Sequence, residues 1–339
     1  MKYSIMLLLI GLCIFIFAQP APIIYHGVFP GGPHGISEDA TPEHLDAYEK
    51  AVGRKADWVM ISNEWGINRA FPQKTAAWIV KRGSTPYIRM MIRTSEDSSC
   101  TEKTFTLPNI IAGKFDNDLL LWGKAAKKIK KQLIVEYGLE CNNTCFPWSG
   151  INNGGGKTNG LGDKKLANGP EMFVTAYRHI IEQIRLSGAK NITWVFHVDA
   201  YDDPEVNWNR FENYYPGDDY INWIGLSVYG AQTPDYTGAE QFTTVMDRVY
   251  PRLTKLANKP VVISEFGTVK NNIEINQGEW ADNALKNILS HRWSRLIGFS
   301  WWSSKWQNDD NPKHDSDMIV ARNSVLSGIF NKNLIKIPK

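Results

Sequence analysis

Cysteine is scarce, with four residues in 339. A scaffold built on disulfides is therefore excluded, and the fold has to rest on apolar burial. Near Cys141 and Cys145 there is no His or second Cys pair at ligand spacing, so neither a metal centre nor a cofactor is expected. Charge of one sign is also missing: the formal net charge is +3. The short lysine cluster from Lys127 to Lys131 reads as the solvated face of a helix, and nucleic acid is not an expected partner. Long apolar runs are absent except at the start. There Lys2 precedes an apolar stretch from Ile5 to Phe17, followed by Ala18-Gln19-Pro20-Ala21. This is the build of a secretory signal over residues 1–21, and it is shorter than the roughly 20 apolar residues of a membrane span. The expectation is a secreted protein, free of the membrane once the signal is removed. Of the cysteines outside the signal, Cys100, Cys141 and Cys145 allow one intramolecular bridge. Cys141 with Cys145 and Cys100 with either are the alternatives.

What the chain does have is a sizeable apolar fraction, 43%, enough for one large core. It also has thirteen Trp and thirteen Tyr. Most of these rings fill core positions; the surplus suits a cleft that stacks flat ligand faces. Short β-rich runs recur along the chain at Tyr25–Phe29, Trp58–Asn63, Pro86–Ile92, Leu133–Leu139, Ile192–Val198, Ile221–Tyr229, Val261–Phe266 and Leu296–Trp302. Most are near-continuously apolar, the mark of strands buried on both faces. Helical patterns lie between them: His44–Val52, Lys74–Arg82, Asp116–Lys131, Pro170–Ser187, Ala239–Ala257 and Glu279–Arg292, with a last one near Val325–Asn331. Gly53, Gly83 and Gly188 stand as helix stops. Strictly alternating strands and helices predict an α/β fold, a single-domain (β/α)8 TIM barrel over residues 22–339. The Gly/Asn/Lys-rich stretch from Ser149 to Gly169 is expected to be a surface loop over the carboxyl-terminal face.

Active sites of such barrels lie where the strands end. The polar and aromatic residues predicted there are His26, Asn63, Glu64, Trp65, Arg89, Arg93, Glu140, His197, Asp199, Tyr229, Glu265, Trp301 and Trp302. Two carboxylates stand out. Glu140 closes the segment LIVEYGLE and Glu265 closes VVISE, on strands four and seven, which face each other across a barrel mouth. Cleavage of a glycosidic bond needs one protonated carboxyl to assist the leaving oxygen and one ionised carboxylate to attack or to activate water. Mutual repulsion and partial burial can hold one of the pair protonated near neutrality.

Four segments carry a resemblance. They are GLECNNTCFPWSG, AYRHIIEQIRLSGAKNITWVFHVD, NYYPGDDYINWIGLSVYG and KPVVISEFGT. Together, over about Tyr25 to Trp302, the chain resembles glycoside hydrolase family 26. The resemblance implies Glu140 as acid/base, Glu265 as nucleophile, retention of configuration, and Tyr229 as the hydroxyl that orients the nucleophile. Trp148 and Trp302 are then the candidate sugar platforms, and Trp65, His197 and Asn142 the further expected sugar contacts. In this sequence Leu139, Glu136, Asn143 and Cys141 stand where the family has His, Arg, Gly and Met. His197 is the expected replacement for the missing His contact. Glu136 is read as structural, paired with Arg89 or Arg93.

The implied protein is a monomeric endo-β-glycanase acting on a cell-wall polysaccharide, with β-1,4-mannan the first expectation. A lichenase or endo-β-glucanase, a β-1,3-xylanase, or an inactive carbohydrate-binding protein on the same scaffold are the alternatives. Trp301, Trp302 and Trp306 are a further platform candidate, with one of the adjacent pair in the core because strand neighbours face opposite ways.

Overall fold

In the computed structural model, residues 23–31, 40–94, 101–144 and 146–337 are described. The sequence alternation becomes eight parallel strands: β1 Tyr25–Phe29, β2 Trp58–Glu64, β3 Thr85–Met91, β4 Leu133–Tyr137, β5 Ile192–Asp199, β6 Trp223–Tyr229, β7 Val261–Gly267 and β8 Leu296–Trp302. They pair in chain order. The ring closes where β1 meets β8, in register from Tyr25 against Gly298 to Phe29 against Trp302. The helices α1 Pro42–Val52, α2 Gln73–Lys81, α3 Leu107–Ile111, α4 Asp116–Ala126, α5 Asn168–Leu186, α6 Phe242–Leu256, α7 Gln277–Leu289 and α8 Ser324–Leu334 complete the (β/α)8 barrel. Sequence reasoning did not place the short α3, capped by Thr106. None of the described helices is long and apolar enough to cross a membrane.

Local chemistry sets the helix ends. Thr41 accepts the His44 amide ahead of Pro42, and Gly53 takes φ +72° after Val52, a left-handed turn that costs glycine nothing. Asn276 and Asn323 cap α7 and α8 in the same way as Thr41.

The core has two parts. Ile, Leu, Val and aromatic side chains fill the space between barrel and helices. Inside the barrel, Phe29, Trp58, Met60, Tyr87, Ile134, Val195, Val262 and Trp302 pack together. Residues two positions further along their strands, namely Arg89, Glu136 and His197, are also buried. Because strand side chains alternate, these stand one layer above Tyr87, Ile134 and Val195 on the inner face. Charged groups thus lie on an apolar plug, facing the mouth.

Two backbone irregularities shape that mouth. Between β6 and β7 the register passes from Leu226 opposite Ile263 to Ser227 opposite Glu265, so Ser264 is an extra residue. Such a bulge turns neighbouring side chains toward one face. At the end of β4, Gly138 and Glu140 take φ +62° and +51°. The strand therefore stops at Tyr137, two residues earlier than the apolar pattern suggests. After β8, Lys305–Trp306 pairs antiparallel with Ser316–Asp317 and forms a small flap over one side.

Candidate active site

Glu265 is buried, only 5% exposed. Tyr229, the last residue of β6, donates its hydroxyl to Glu265 Oε2 at 2.8 Å. Arg89 of β3 lies on the other side, with Nη2 3.3 Å from Glu265 Oε1 and Nε 3.6 Å from Glu136 Oε1. These are ionic contacts without hydrogen-bond geometry. The guanidinium also stacks over the Trp302 ring, 4.8 Å from its centroid. Burial opposes the Arg89 charge, but Glu265 and Glu136 more than offset that and hold its pKa above the usual arginine value.

Glu136 is fully buried. It accepts the Tyr87 hydroxyl at 2.6 Å and faces His197 Nδ1 at 3.0 Å. His197 Nε2 reaches Ser227 Oγ at 2.8 Å. Desolvation works against the imidazolium, but the Glu136 charge and hydrogen bond outweigh it and raise the His197 pKa. Desolvation likewise works against the Glu136 carboxylate, and His197 and Arg89 overcome it, lowering the Glu136 pKa. A protonated His197 thus donates to Glu136 and to Ser227. Ser227 also lies close enough to Glu140 to act against the rise in its pKa.

Glu140 is half-buried and held by its backbone: its N–H donates to the His197 carbonyl at 2.9 Å. Burial, then the Asp199 and Glu265 charges, push its pKa from 4.5 up to about 8. Asp199, at the end of β5, is pushed to about 6, chiefly by burial. Glu140 is thus held with a raised pKa, while Glu265 sits against a guanidinium and a tyrosine hydroxyl. Both line one cavity of about 320 Å³, with Tyr229, Gln232, Trp302 and Trp306.

Glu136, His197 and Glu265 also bring ligand-type atoms within 4.8 Å of one another. Both His197 nitrogens are taken by Glu136 and Ser227, and Arg89 already supplies positive charge. The cluster fits a buried ion-pair network better than a cation site.

Four expected sugar contacts lie elsewhere. Trp148 is only 2% exposed; it stacks on Phe146 and donates Nε1 to the Leu139 carbonyl at 2.8 Å. It braces the segment carrying Glu140 and is not a platform. Trp65 packs edge-on against Phe105 and Phe115 in the core. Asn142 is buried, its amide shared among the Asp199 and Tyr201 carbonyls and Asp202 Oδ1. His197 has no exposure at all, so it cannot replace a sugar-contacting His. These rings and amides are apolar or bonded for structural reasons, which composition alone does not distinguish from ligand contacts. Trp302 and Tyr229 do face the cavity, while Trp301 is core and donates to the Met318 carbonyl. Of the two partners expected for Glu136, Arg89 does pair with it, joined by His197, whereas Arg93 clasps Glu64. Cys141 is a buried free thiol, and Cys100 and Cys145 lie outside the described residues. The loop after Ser149 is largely exposed but does not line the cavity. Sequence reasoning missed Gln232 and the Ser227 link; only the position of Gln232 just past the end of β6, on the active face, could have signalled it.

A closed parallel barrel with a carboxyl pair and aromatic rings around one cavity at the strand ends is the build of a glycoside hydrolase. Residues 151–305 match the model of glycosyl hydrolase family 26. Endoglucanase H of Acetivibrio thermocellus is 24% identical over 290 residues, 85% of this chain and 29% of that protein, so the chain spans under a third of this relative. Among solved structures, the Bacillus subtilis mannanase man26 superposes with a TM-score of 0.62 at 16% identity, over 93% of this chain and 86% of that one. A β-mannanase from a symbiotic protist of the termite Reticulitermes speratus, complexed with gluco-manno-oligosaccharide, gives 0.57 at 14%, over 92% and 87%. Over residues 151–305, a little under half of its length, the chain is thus similar to glycoside hydrolase family 26.

Proposed function

We propose that this protein is a secreted, retaining endo-β-glycanase whose first substrate is a β-1,4-mannan or glucomannan backbone. One observation carries the reading: a carboxyl held protonated, Glu140, and a carboxylate seated on Arg89 and Tyr229, Glu265, line the same aromatic-walled cavity. Glu265 attacks the anomeric carbon as the bond to the leaving oxygen breaks, and Glu140 protonates that oxygen. The glycosyl ester formed on Glu265 is then opened by water that Glu140 deprotonates. Tyr229 fixes the attacking carboxylate, and the Trp302 face supports a sugar ring.

A β-glucan is the second reading, since the curated relative is named an endoglucanase and Leu139 stands where the family His is expected. Reducing-sugar release from mannan, glucomannan, lichenan, carboxymethylcellulose and β-1,3-xylan separates these. Proton NMR of the first product tests retention: an initial α-anomer from a β-glycan would refute the double displacement. The expected result is cleavage of mannan or glucomannan with the β-anomer formed first.

A further inference from the structure

The lysines from Lys127 to Lys131 do not share a helix face. Helix α4 ends at Ala126 with Lys127 as its cap, so Lys128, Lys130 and Lys131 stand in the loop that leads to β4. That loop meets the one joining α5 to β5, on the amino-terminal face of the barrel, opposite the catalytic mouth. Between the two loops lies a cavity of about 490 Å³. Its charged walls are Lys127, Lys130, Lys131 and Lys190, and among the described residues no acid lines it. All four lysines are exposed. Among the described residues, the lysines paired with an acidic side chain are Lys286 on α7 and Lys305 after β8.

The two loops are tied together. Asn191 donates its amide to the Ala126, Ile129 and Lys131 carbonyls at 3.1, 2.7 and 3.0 Å. Gly188 takes φ +78°, and Lys127 Nζ lies 3.0 Å from where a Cβ would stand there, so the ammonium rests against bare backbone. The negative end of the α4 dipole accounts for Lys127 and Lys128, but that effect fades within the last turn. It leaves Lys130, Lys131 and Lys190 as like charges with no counter-charge, and an extended anion would relieve their repulsion.

The walls select among extended anions. They hold no arginine, the fork that grips phosphate in pairs of hydrogen bonds, and no aromatic ring on which a base could stack. Their apolar side chain, Ile129, is half-buried and offers no anchor for a lipid surface. Lysine ammoniums are point charges, and they suit the single carboxylates spaced along a polyuronate.

We propose that this surface docks a polyuronate chain, a carboxylate-bearing polysaccharide of the cell-wall matrix, and leaves the mouth on the opposite face free for neutral glycan. The setting rests on the glycanase reading above; the charge recognition rests on the lysines alone.

The test is affinity electrophoresis of the full chain through gels holding polygalacturonate or its methyl ester, with soluble glucomannan hydrolysis measured alongside. Lys130→Gln/Lys131→Gln/Lys190→Gln removes charge from the surface. Lys157→Gln/Lys164→Gln/Lys165→Gln removes the same charge from the loop after Ser149. Wild type should be retarded by polygalacturonate and not by the ester. Its affinity should fall when salt rises from about 0.02 M to about 0.3 M, which shrinks the screening length several-fold. The first variant should bind at least about tenfold more weakly, the second should bind like wild type, and all three should hydrolyse soluble glucomannan alike. No retardation at low salt, equal retardation by the ester, or equal loss in the two variants overturns the proposal. Tighter binding to duplex DNA or to phosphatidylserine vesicles than to polygalacturonate also overturns it. If polygalacturonate binds as expected but no neutral β-glycan is cleaved, the glycanase reading fails and the docking surface stands.

Discussion

Replacing Glu140 by Gln keeps the side-chain shape and removes the transferable proton. The structure fixes how much that proton matters. With a pKa raised from 4.5 to about 8, Glu140 is protonated at pH 7 in about ten molecules for each ionised one. A solvent-exposed Glu would be protonated in about one in three hundred. Burial and the Asp199 and Glu265 charges therefore multiply the acid-competent population roughly three-hundredfold. General acid catalysis itself is worth about 10²–10⁴ in rate. In Glu140→Gln, kcat/KM on glucomannan should fall by that factor, measured as reducing ends. A 2,4-dinitrophenyl β-glycoside needs no leaving-group proton, so its glycosylation step should survive. It should show a burst of dinitrophenolate and then slow turnover, because Glu140 is also needed to activate water. The wild-type profile should lose activity as pH rises through about 8, and the variant should lack that limb. Polysaccharide activity within about tenfold of wild type in a folded variant would refute the assignment.

Three other outcomes follow from the network and the turns. Glu136→Gln should lower stability by about 3–5 kcal/mol in urea unfolding, since it leaves His197 without its buried counter-charge and Arg89 with Glu265 alone. His197 is raised above 6.5, so its contribution is full below that value and lost as pH rises through its folded pKa; Glu136 is lowered, so its contribution is present above 4.5 and lost as pH falls. The gap between wild type and variant should therefore be widest between those limits and shrink on either side. Gly138→Ala should lower the melting temperature, because φ is +62° and the new Cβ would lie 2.5 Å from Phe173 Cε2; the backbone alone costs about 1–2 kcal/mol. Trp302→Ala should raise KM roughly tenfold, about 1.4 kcal/mol of ring contact, whereas Trp148→Phe should leave KM alone and cost about 1–3 kcal/mol of stability by orphaning the Leu139 carbonyl. A KM effect of Trp148→Phe as large as that of Trp302→Ala would contradict the bracing role.

Much of the architecture was legible because each strand is buried on both faces and each helix on one. VVISE and LIGFSWW announce interior strands, and Gly53, Gly83 and Gly188 announce helix ends, through local sterics. The positions of Glu140 and Glu265 at the ends of strands four and seven follow from counting. The roles of Trp148, Trp65 and His197 were not legible. An indole that braces a loop carbonyl and one that faces a sugar have the same composition and the same local pattern. Which way each points depends on neighbours far away in the chain, such as Phe105 and Phe115 for Trp65, or Glu136 and Ser227 for His197.

The sequence by itself determined the alternation of strand and helix, the closed barrel, and the two acidic side chains at its rim, because these depend on period and on burial within each segment. Only the tertiary structure decided the charge state and aim of those side chains. An extra residue at Ser264 brings Glu265 onto the inner face, a left-handed turn at Glu140 carries it over the mouth, and Arg89 arrives from β3 to hold the ion pair. A pKa is set by the charges and the water within a few ångströms of a group, and residues that distant in sequence become neighbours only when the barrel closes.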